Sequence, residues 1–284
     1  MKVCTVAVLI FSMPVYASQV FLANDSNNLY QFTITHTVGE DTATTHCNQI
    51  VELSKRMSDI ALDANGTLYG ISYAGNEVDE QSHLYTIDME TGETTWIGGC
   101  YGTFNALSFD AEGSLYAGGY TENSNTIIAK LDANSGQITQ SWFIEYQEDD
   151  QNHNIWTNGD IAFDDSGTLY FTGSKHAISP NLFTLDTDTE AVALIGSTER
   201  NYLRAMDFGD NGVLYGFYDT HIVYIETNTG STYHGDYPGF LTSDRDVNGD
   251  DYSYIYGMTY LPEPTTMALL ALGGLALIRR HRVR

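Results

Sequence analysis

The side chains of this sequence best suited to chemistry are its acids. In Asp244–Asp251, Asp-Arg-Asp-Val-Asn-Gly-Asp-Asp, oxygen-bearing side chains recur at Asp244, Asp246, Asn248 and Asp250, and Gly249 permits a tight turn. Calcium collects about six to eight oxygen ligands from such alternating positions. The stretch therefore reads as the first half of a calcium loop, and calcium is the one cofactor the sequence suggests. The competing reading is an acidic turn leading into a strand. A second, dispersed set comprises Asp59, Asn105, Asp160, Arg204 and Asp207, polar residues at or beside the starts of short apolar runs. They read either as ligand contacts or as solvated polar groups and turn caps. Nucleophile elbows, phosphate loops, His-x-x-x-His pairs and Cys-x-x-Cys pairs are missing from the sequence, so no reaction is indicated. His153 and His176 stand alone and read as loop residues.

The elements that must position these residues come from a repeat. Asp59–Ser72, DIALDANGTLYGIS, returns as ALSFDAEGSLYAGG from Ala106, DIAFDDSGTLYFTG from Asp160 and AMDFGDNGVLYGFY from Ala205. The glycines Gly66, Gly113, Gly167 and Gly212 lie 47, 54 and 45 residues apart. A second pattern follows each copy, from His83, Ile127, Asn181 and His221, with its own turn opened by an acid, Asp88, Asp132, Asp186 or Glu226. Glu190 stands where the third of these expects glycine, so that turn is expected to be built differently. In each turn the Asp carboxylate can bond forward to backbone N–H groups while Gly takes positive φ, joining two short strands. Four antiparallel strands per unit at this period are the pattern of a β-propeller blade.

The first copy starts part-way through a unit, at Gln19–Ile34, and the strand it lacks is found at Tyr254–Pro262. N- and C-terminal segments are thus expected to share one blade and close a ring of five, an all-β propeller; an open stack or a sandwich is the alternative. Aligned innermost strands place small or short residues at Ala61, Ser108, Ala162, Asp207 and Thr259, as a narrow axis requires. Flanking Ile60, Leu107, Ile161, Met206 and Met258 suit packing between blades. The pairs Leu68-Tyr69, Leu115-Tyr116, Leu169-Tyr170 and Leu214-Tyr215 point to opposite blade faces and are expected in the core. The polar set Asp59, Asn105, Asp160, Arg204 and Asp207 then lies near the axis. Two long connections, Glu145–Gly159 with Trp156 and Tyr233–Tyr254 with its tyrosines, offer aromatic and amide groups for sugars. The Asp244 stretch resembles the loop of EF-hands and dockerins. It departs from them at its twelfth position, Ile255 in place of Glu, and no helix pattern flanks it.

The two ends read differently from the body. Residues 1–17 carry Lys2, an apolar run and Val15-Tyr16-Ala17, the layout of a secretory signal peptide. Residues 18–261 form the repeat domain, and 262–284 a tail. The tail joins Pro262-Glu263-Pro264, an apolar helix over Thr265–Ile278 and the arginines Arg279, Arg280, Arg282 and Arg284. Fourteen residues make a helix of about 21 Å, short of the roughly 30 Å of a bilayer core. Arginines at its end hold it with the cytoplasmic side positive, so a transient inner-membrane anchor is expected, a permanent tail anchor being the alternative. This combination at the C-terminus resembles the PEP-CTERM sorting signal. The resemblance implies recognition by an exosortase, removal of the tail near Pro-Glu-Pro, and export in a Gram-negative host that secretes exopolysaccharide, to the cell surface or beyond.

Without its ends the chain keeps seven of its 12 basic residues and all 37 acidic ones, close to −30 in about 245 residues. Such a surface repels nucleic acid. The 20 tyrosines and the abundance of Thr and Gly favour strands. Cys47 and Cys100, in an exported chain, are eligible for a disulfide. The sequence thus points to a non-catalytic binding or scaffold propeller of an extracellular matrix, with exopolysaccharide as the candidate partner. A calcium-assisted propeller hydrolase or lyase using the central channel is the alternative, and a ligand-free acidic surface protein a third reading.

Overall fold

A computed structural model of the chain describes residues 18–36, 43–77, 81–121, 123, 125–148, 151–174, 180–199, 203–218, 221–233 and 255–262. Five four-stranded antiparallel sheets follow one another around an axis. Their innermost strands are Gly257–Tyr260, Asp59–Leu62, Thr103–Phe109, Trp156–Phe163 and Leu203–Phe208, here the first to fifth blades. In the first blade Gly257–Tyr260 pairs with Ser18–Asn24, bringing Phe21 opposite Tyr260 and Asn24 opposite Gly257. The ring is therefore closed by strands from opposite ends of the chain, as the incomplete first repeat requires.

Local chemistry makes the hairpins. Asp63 Oδ1 accepts hydrogen bonds from the N–H groups of Asn65 and Thr67 at 2.9 and 2.7 Å, and Gly66 turns the chain at φ +83°. Asp110 and Asp164 repeat the device. In the fifth blade Gly209 occupies the Asp position, and Asn211 Oδ1 takes over by accepting from the N–H of Val213 at 3.1 Å. The second turn of the second, third and fourth blades is built likewise, with Asp88 accepting from the N–H groups of Glu90 and Thr91 and Asp132 from that of Asn134. Glu190 does not change that turn, contrary to the expectation from sequence. Asp186 accepts from Asp188 and Thr189 in the same way, and Glu190 itself adopts the left-handed conformation at φ +61°. The Asp cap and the flanking strand pairing outweigh the roughly 1–2 kcal/mol that a Cβ costs there.

The core is five wedges, each lying between two blades. Phe21, Phe32 and Met258 of the first blade meet Tyr215 and Phe217 of the fifth, with Phe32 and Phe217 edge-on at 4.9 Å. Ile60 and Leu68 of the second blade meet Leu22 and Leu29 of the first. The Leu-Tyr pairs divide as expected. Leu68 enters the first-to-second wedge and Tyr69 packs on the second-to-third; Leu115 lies in the second-to-third wedge and Tyr116 in the third-to-fourth. Both faces of a blade are covered along its inner strands, so adjacent residues such as these divide between the two flanking wedges.

Cys47 and Cys100, the pair considered from sequence, are not bridged in the structure. Cys47 packs on the first-to-fifth wedge and Cys100 lies within the second-to-third, so blade packing holds them in separate cores. Burial pushes the Cys100 thiol up to about 12. The leader at 1–17, the apolar tail helix and its arginines, and the calcium-loop residues Asp244, Asp246, Asn248 and Asp250 all lie outside the described residues.

Candidate functional site

At one mouth of the ring each blade offers the equivalent residue of its inner-strand segment, one position before Gly257, Asp59, Ala106, Asp160 and Ala205: Tyr256, Ser58, Asn105, Gly159 and Arg204. Two of them are aimed by bulges. Strand pairing slips between Phe104 and Ala106 and again between Leu203 and Ala205, leaving Asn105 and Arg204 as the extra residues. A bulged residue leaves the alternation of its strand, and its side chain is re-aimed. Gly159 lies within a third slip, between Thr157 and Ile161, where a Cβ would run into Thr172 Oγ1 and the Leu203 carbonyl. Loop residues Ser26, Arg56, Met57 and Tyr73 complete the wall of a cavity of about 360 Å³. That volume is at the lower end of the roughly 300–1,000 Å³ of small-ligand sites.

The wall is tied together by short-range bonds. Asp25 Oδ1 accepts from the N–H of Asn28 at 2.8 Å and Asp25 Oδ2 from the Tyr30 hydroxyl at 2.8 Å, bracing a turn in which Ser26 has φ +85°. Non-glycine residues held there store strain and cluster at ligand sites. The N–H of Met57 donates to Ser26 O at 2.9 Å, Asn24 Nδ2 to Met57 O at 3.0 Å, and the N–H of Tyr256 to Asn24 O at 2.9 Å. The Arg204 guanidinium lies 5.3 Å from the centre of the Tyr256 ring, a cation–π pairing. Asn105 Oδ1 is buried without a hydrogen-bond partner.

Charge is distributed unevenly. Lys55, Arg56, Lys130 and Arg204 are the lysines and arginines among the described residues. Lys55 pairs with Glu77 at 2.6 Å and Lys130 sits over the Tyr116 ring, both away from the mouth. Arg56 and Arg204 line the cavity, and no described acid does.

The acids lie deeper. Asp59 and Asp160 start from equivalent inner-strand positions and are buried. Asp59 Oδ1 accepts from its neighbour Ile60 at 2.7 Å and Oδ2 from Leu107 of the third blade at 2.5 Å. Asp160 accepts from Ile161 at 2.7 Å and from Met206 of the fifth blade at 3.0 Å. Asp207, further along and partly exposed, accepts from Phe208 at 2.8 Å and from Tyr260 of the first blade at 2.7 Å. Each carboxyl thereby fastens its own inner strand to the next. The Asp59 and Asp160 carboxyls also act electrostatically on each other. Burial, and then the facing Asp160, hold Asp59 well above the usual carboxylate range; burial likewise raises Asp160 against the pull of its hydrogen bonds. Equivalent positions in the other three blades are Ala106, Ala205 and Gly257, and a Cβ on Gly257 would strike Asp59 Oδ1 and Asn24 Oδ1. The axis holds two carboxyls there because the other three side chains are small or missing.

The structure therefore splits the five channel residues chosen from sequence. Asn105 and Arg204 face the cavity, whereas Asp59, Asp160 and Asp207 are inter-blade fasteners whose oxygens are taken by backbone N–H groups. Among the described residues no group of three His, Cys, Asp or Glu side chains could hold a metal ion. Ser26, Ser58, Arg56, Tyr73 and Tyr256 were missed from sequence. Ser58 and Tyr256 were within reach, because the aligned repeats put them level with Asn105 and Arg204. The connection from Glu145 is a hairpin, Glu145–Glu148 with Gln151–Asn154, and Trp156 belongs to the fourth inner strand instead of a loop.

A protein-family model described as the PEP-CTERM protein-sorting motif matches residues 261–283. The chain carries a PEP-CTERM sorting signal. That signal indicates export to the cell envelope by the exosortase route of Gram-negative bacteria. No curated protein matches the sequence. Among solved structures, a chain of a nidogen/laminin complex is similar at 11% identity and TM-score 0.53, over 86% of this chain and 98% of that one. A gluconolactonase from Xanthomonas campestris is 12% identical with TM-score 0.48, over 74% and 72% of the two chains. The Pseudomonas aeruginosa periplasmic gluconolactonase is 12% identical with TM-score 0.44, over 81% and 70%. At these identities the likeness shows the fold alone. The chain is thus a propeller bearing an export-sorting signal that begins where its closing strand ends.

Proposed function

We propose that this PEP-CTERM protein is a non-catalytic binding module of the extracellular matrix, taking exopolysaccharide at the axial mouth of its propeller. The observation that supports it is the cavity itself: its polar wall is carried on bulges and a strained turn, while the nearby carboxyls are spent on holding blades together. In this reading residues 1–17 direct export, and the tail holds the chain transiently in the inner membrane until an exosortase removes it and releases the propeller to the cell surface. The channel-enzyme reading has less support: no described acid lines the cavity, and the Ser58 hydroxyl is given to the backbone carbonyls of Ile71 and Phe104 at 2.9 and 3.1 Å instead of to a base. The deciding experiment is titration of the purified protein with exopolysaccharide from its own host, comparing wild type with Asn105→Trp, which fills the cavity. Saturable binding that the substitution abolishes, with the melting temperature preserved, supports the reading. Absence of binding, or binding indifferent to the substitution, overturns it.

A further inference from the structure

Resting on the axial mouth as the binding site, the chemistry of its wall narrows the ligand class. A chain so acidic repels anions over most of its surface, yet two of the four lysines and arginines among the described residues line this one cavity, and no described acid joins them. Their kind matters too. Guanidinium groups recognise planar carboxylates by paired N–H donors. Among the described residues the wall holds no lysine, the point charge that phosphate sites commonly use.

The remaining wall is suited to a polyhydroxylated ring. Tyr256 and Tyr73 supply aromatic surface, Ser26 and Asn105 supply polar groups, and Asn105 Oδ1 is buried with no hydrogen-bond partner in the protein. The cavity, about 360 Å³, is larger than a bare anion needs.

We infer that the cavity binds a carboxylate-bearing sugar of the hexuronic acid class, its carboxylate addressed by Arg204 and Arg56 and its ring set against Tyr256. A uronic acid can arrive as a free monosaccharide or as a unit of an acidic polysaccharide, and the same contacts serve either.

The test is calorimetric titration of the purified protein with glucuronate, galacturonate, oligouronides, glucose and inorganic phosphate, at low and high salt. The expected result is uronide binding that weakens with salt and exceeds glucose binding by about tenfold or more, the typical effect of a charged hydrogen bond. Arg204→Gln and Asn105→Asp should each lower uronide affinity by about tenfold or more, the first by removing a donor to the anion and the second by adding a repelling charge. Lys130→Gln, remote from the mouth, should leave it unchanged. Preference for oligouronides over glucuronate would assign the polymer as the source, and equal affinity the free sugar. The inference is overturned if glucose binds as well as glucuronate, if phosphate competes as well as a uronide, or if Arg204→Gln and Asn105→Asp, folded by circular dichroism, both bind like wild type. Host exopolysaccharide that still binds, and is still blocked by Asn105→Trp, while every uronide fails, overturns the uronate inference and leaves the axial binding function standing.

Discussion

Asp207 fastens the fifth blade to the closing strand, and its carboxyl gives the molecule a measurable dependence on pH. Burial is the main force raising it, from an ordinary 3.8 to about 6, against the hydrogen bonds from Tyr260 and Phe208 that favour its charged form. Below about pH 4 the group is protonated both folded and unfolded. Between about pH 4 and 6 the folded chain keeps a proton that the unfolded chain has released, so stability falls as pH rises, and above about 6 the loss is complete. At about 1.4 kcal/mol per pH unit the full shift corresponds to about 3 kcal/mol. Because Asp207 is partly exposed, solvent screening reduces this to about 1.5–3 kcal/mol. Asp207→Asn abolishes the titration. It also loses one of two acceptors, at a cost of about 1 kcal/mol that does not vary with pH. The variant should therefore be less stable than wild type at pH 4 and should gain on it by about 1.5–3 kcal/mol by pH 7.5. Urea unfolding of both proteins across that range measures the gap, and titrations common to both, those of Asp59 and Asp160 included, largely subtract out. A gap constant to within about 0.5 kcal/mol, or one that moves the other way, would refute the assignment of a raised, buried carboxyl to this position.

Three further outcomes follow from packing. Gly257→Ala drives a Cβ into Asp59 and Asn24 at the axis; it should cost about 1–3 kcal/mol, seen as a melting temperature lower by roughly 3–10 °C. An unchanged melting temperature would mean that the closing strand does not sit in this register. Glu190→Gly relieves the left-handed strain at φ +61° but loosens the unfolded chain, for a net gain of about 0.5–1 kcal/mol in urea unfolding; destabilisation would show that the Glu190 side chain contributes a contact. Cys100, buried and with its thiol pushed up to about 12, should react with a thiol reagent only on unfolding, whereas Cys47 should label in the native protein; a reductant-sensitive bridge between them would contradict the separate wedges.

The sequence was informative wherever one residue determines its own neighbourhood. An Asp followed three residues later by Gly makes a hairpin whichever blade it belongs to, so strand count, period and the incomplete first repeat were all legible. Leu68-Tyr69 and its counterparts could be assigned to the core because adjacent strand residues point to opposite faces and both faces of a blade are covered. Glu190 was misread because a turn was judged by its one unfavourable residue, while the Asp186 cap and the paired strands around it carry more free energy. That Asp59 and Asp160 fasten blades was not legible, since nothing in the sequence says that their acceptors face the backbone N–H groups of Leu107 and Met206. Arg56, Tyr73 and Ser26 went unseen because they lie on loops outside the repeat, where no periodicity marks them.

By itself, then, the sequence determined the export route, the blade and the closure of the ring, because sorting motif, turn chemistry and strand alternation all act over a few residues. Only the tertiary structure decided which polar residues meet. Closing five blades around an axis sets side chains from positions as distant as 26, 56, 105, 204 and 256 around one cavity, and slips of strand register at Asn105 and Arg204 turn those two side chains into it.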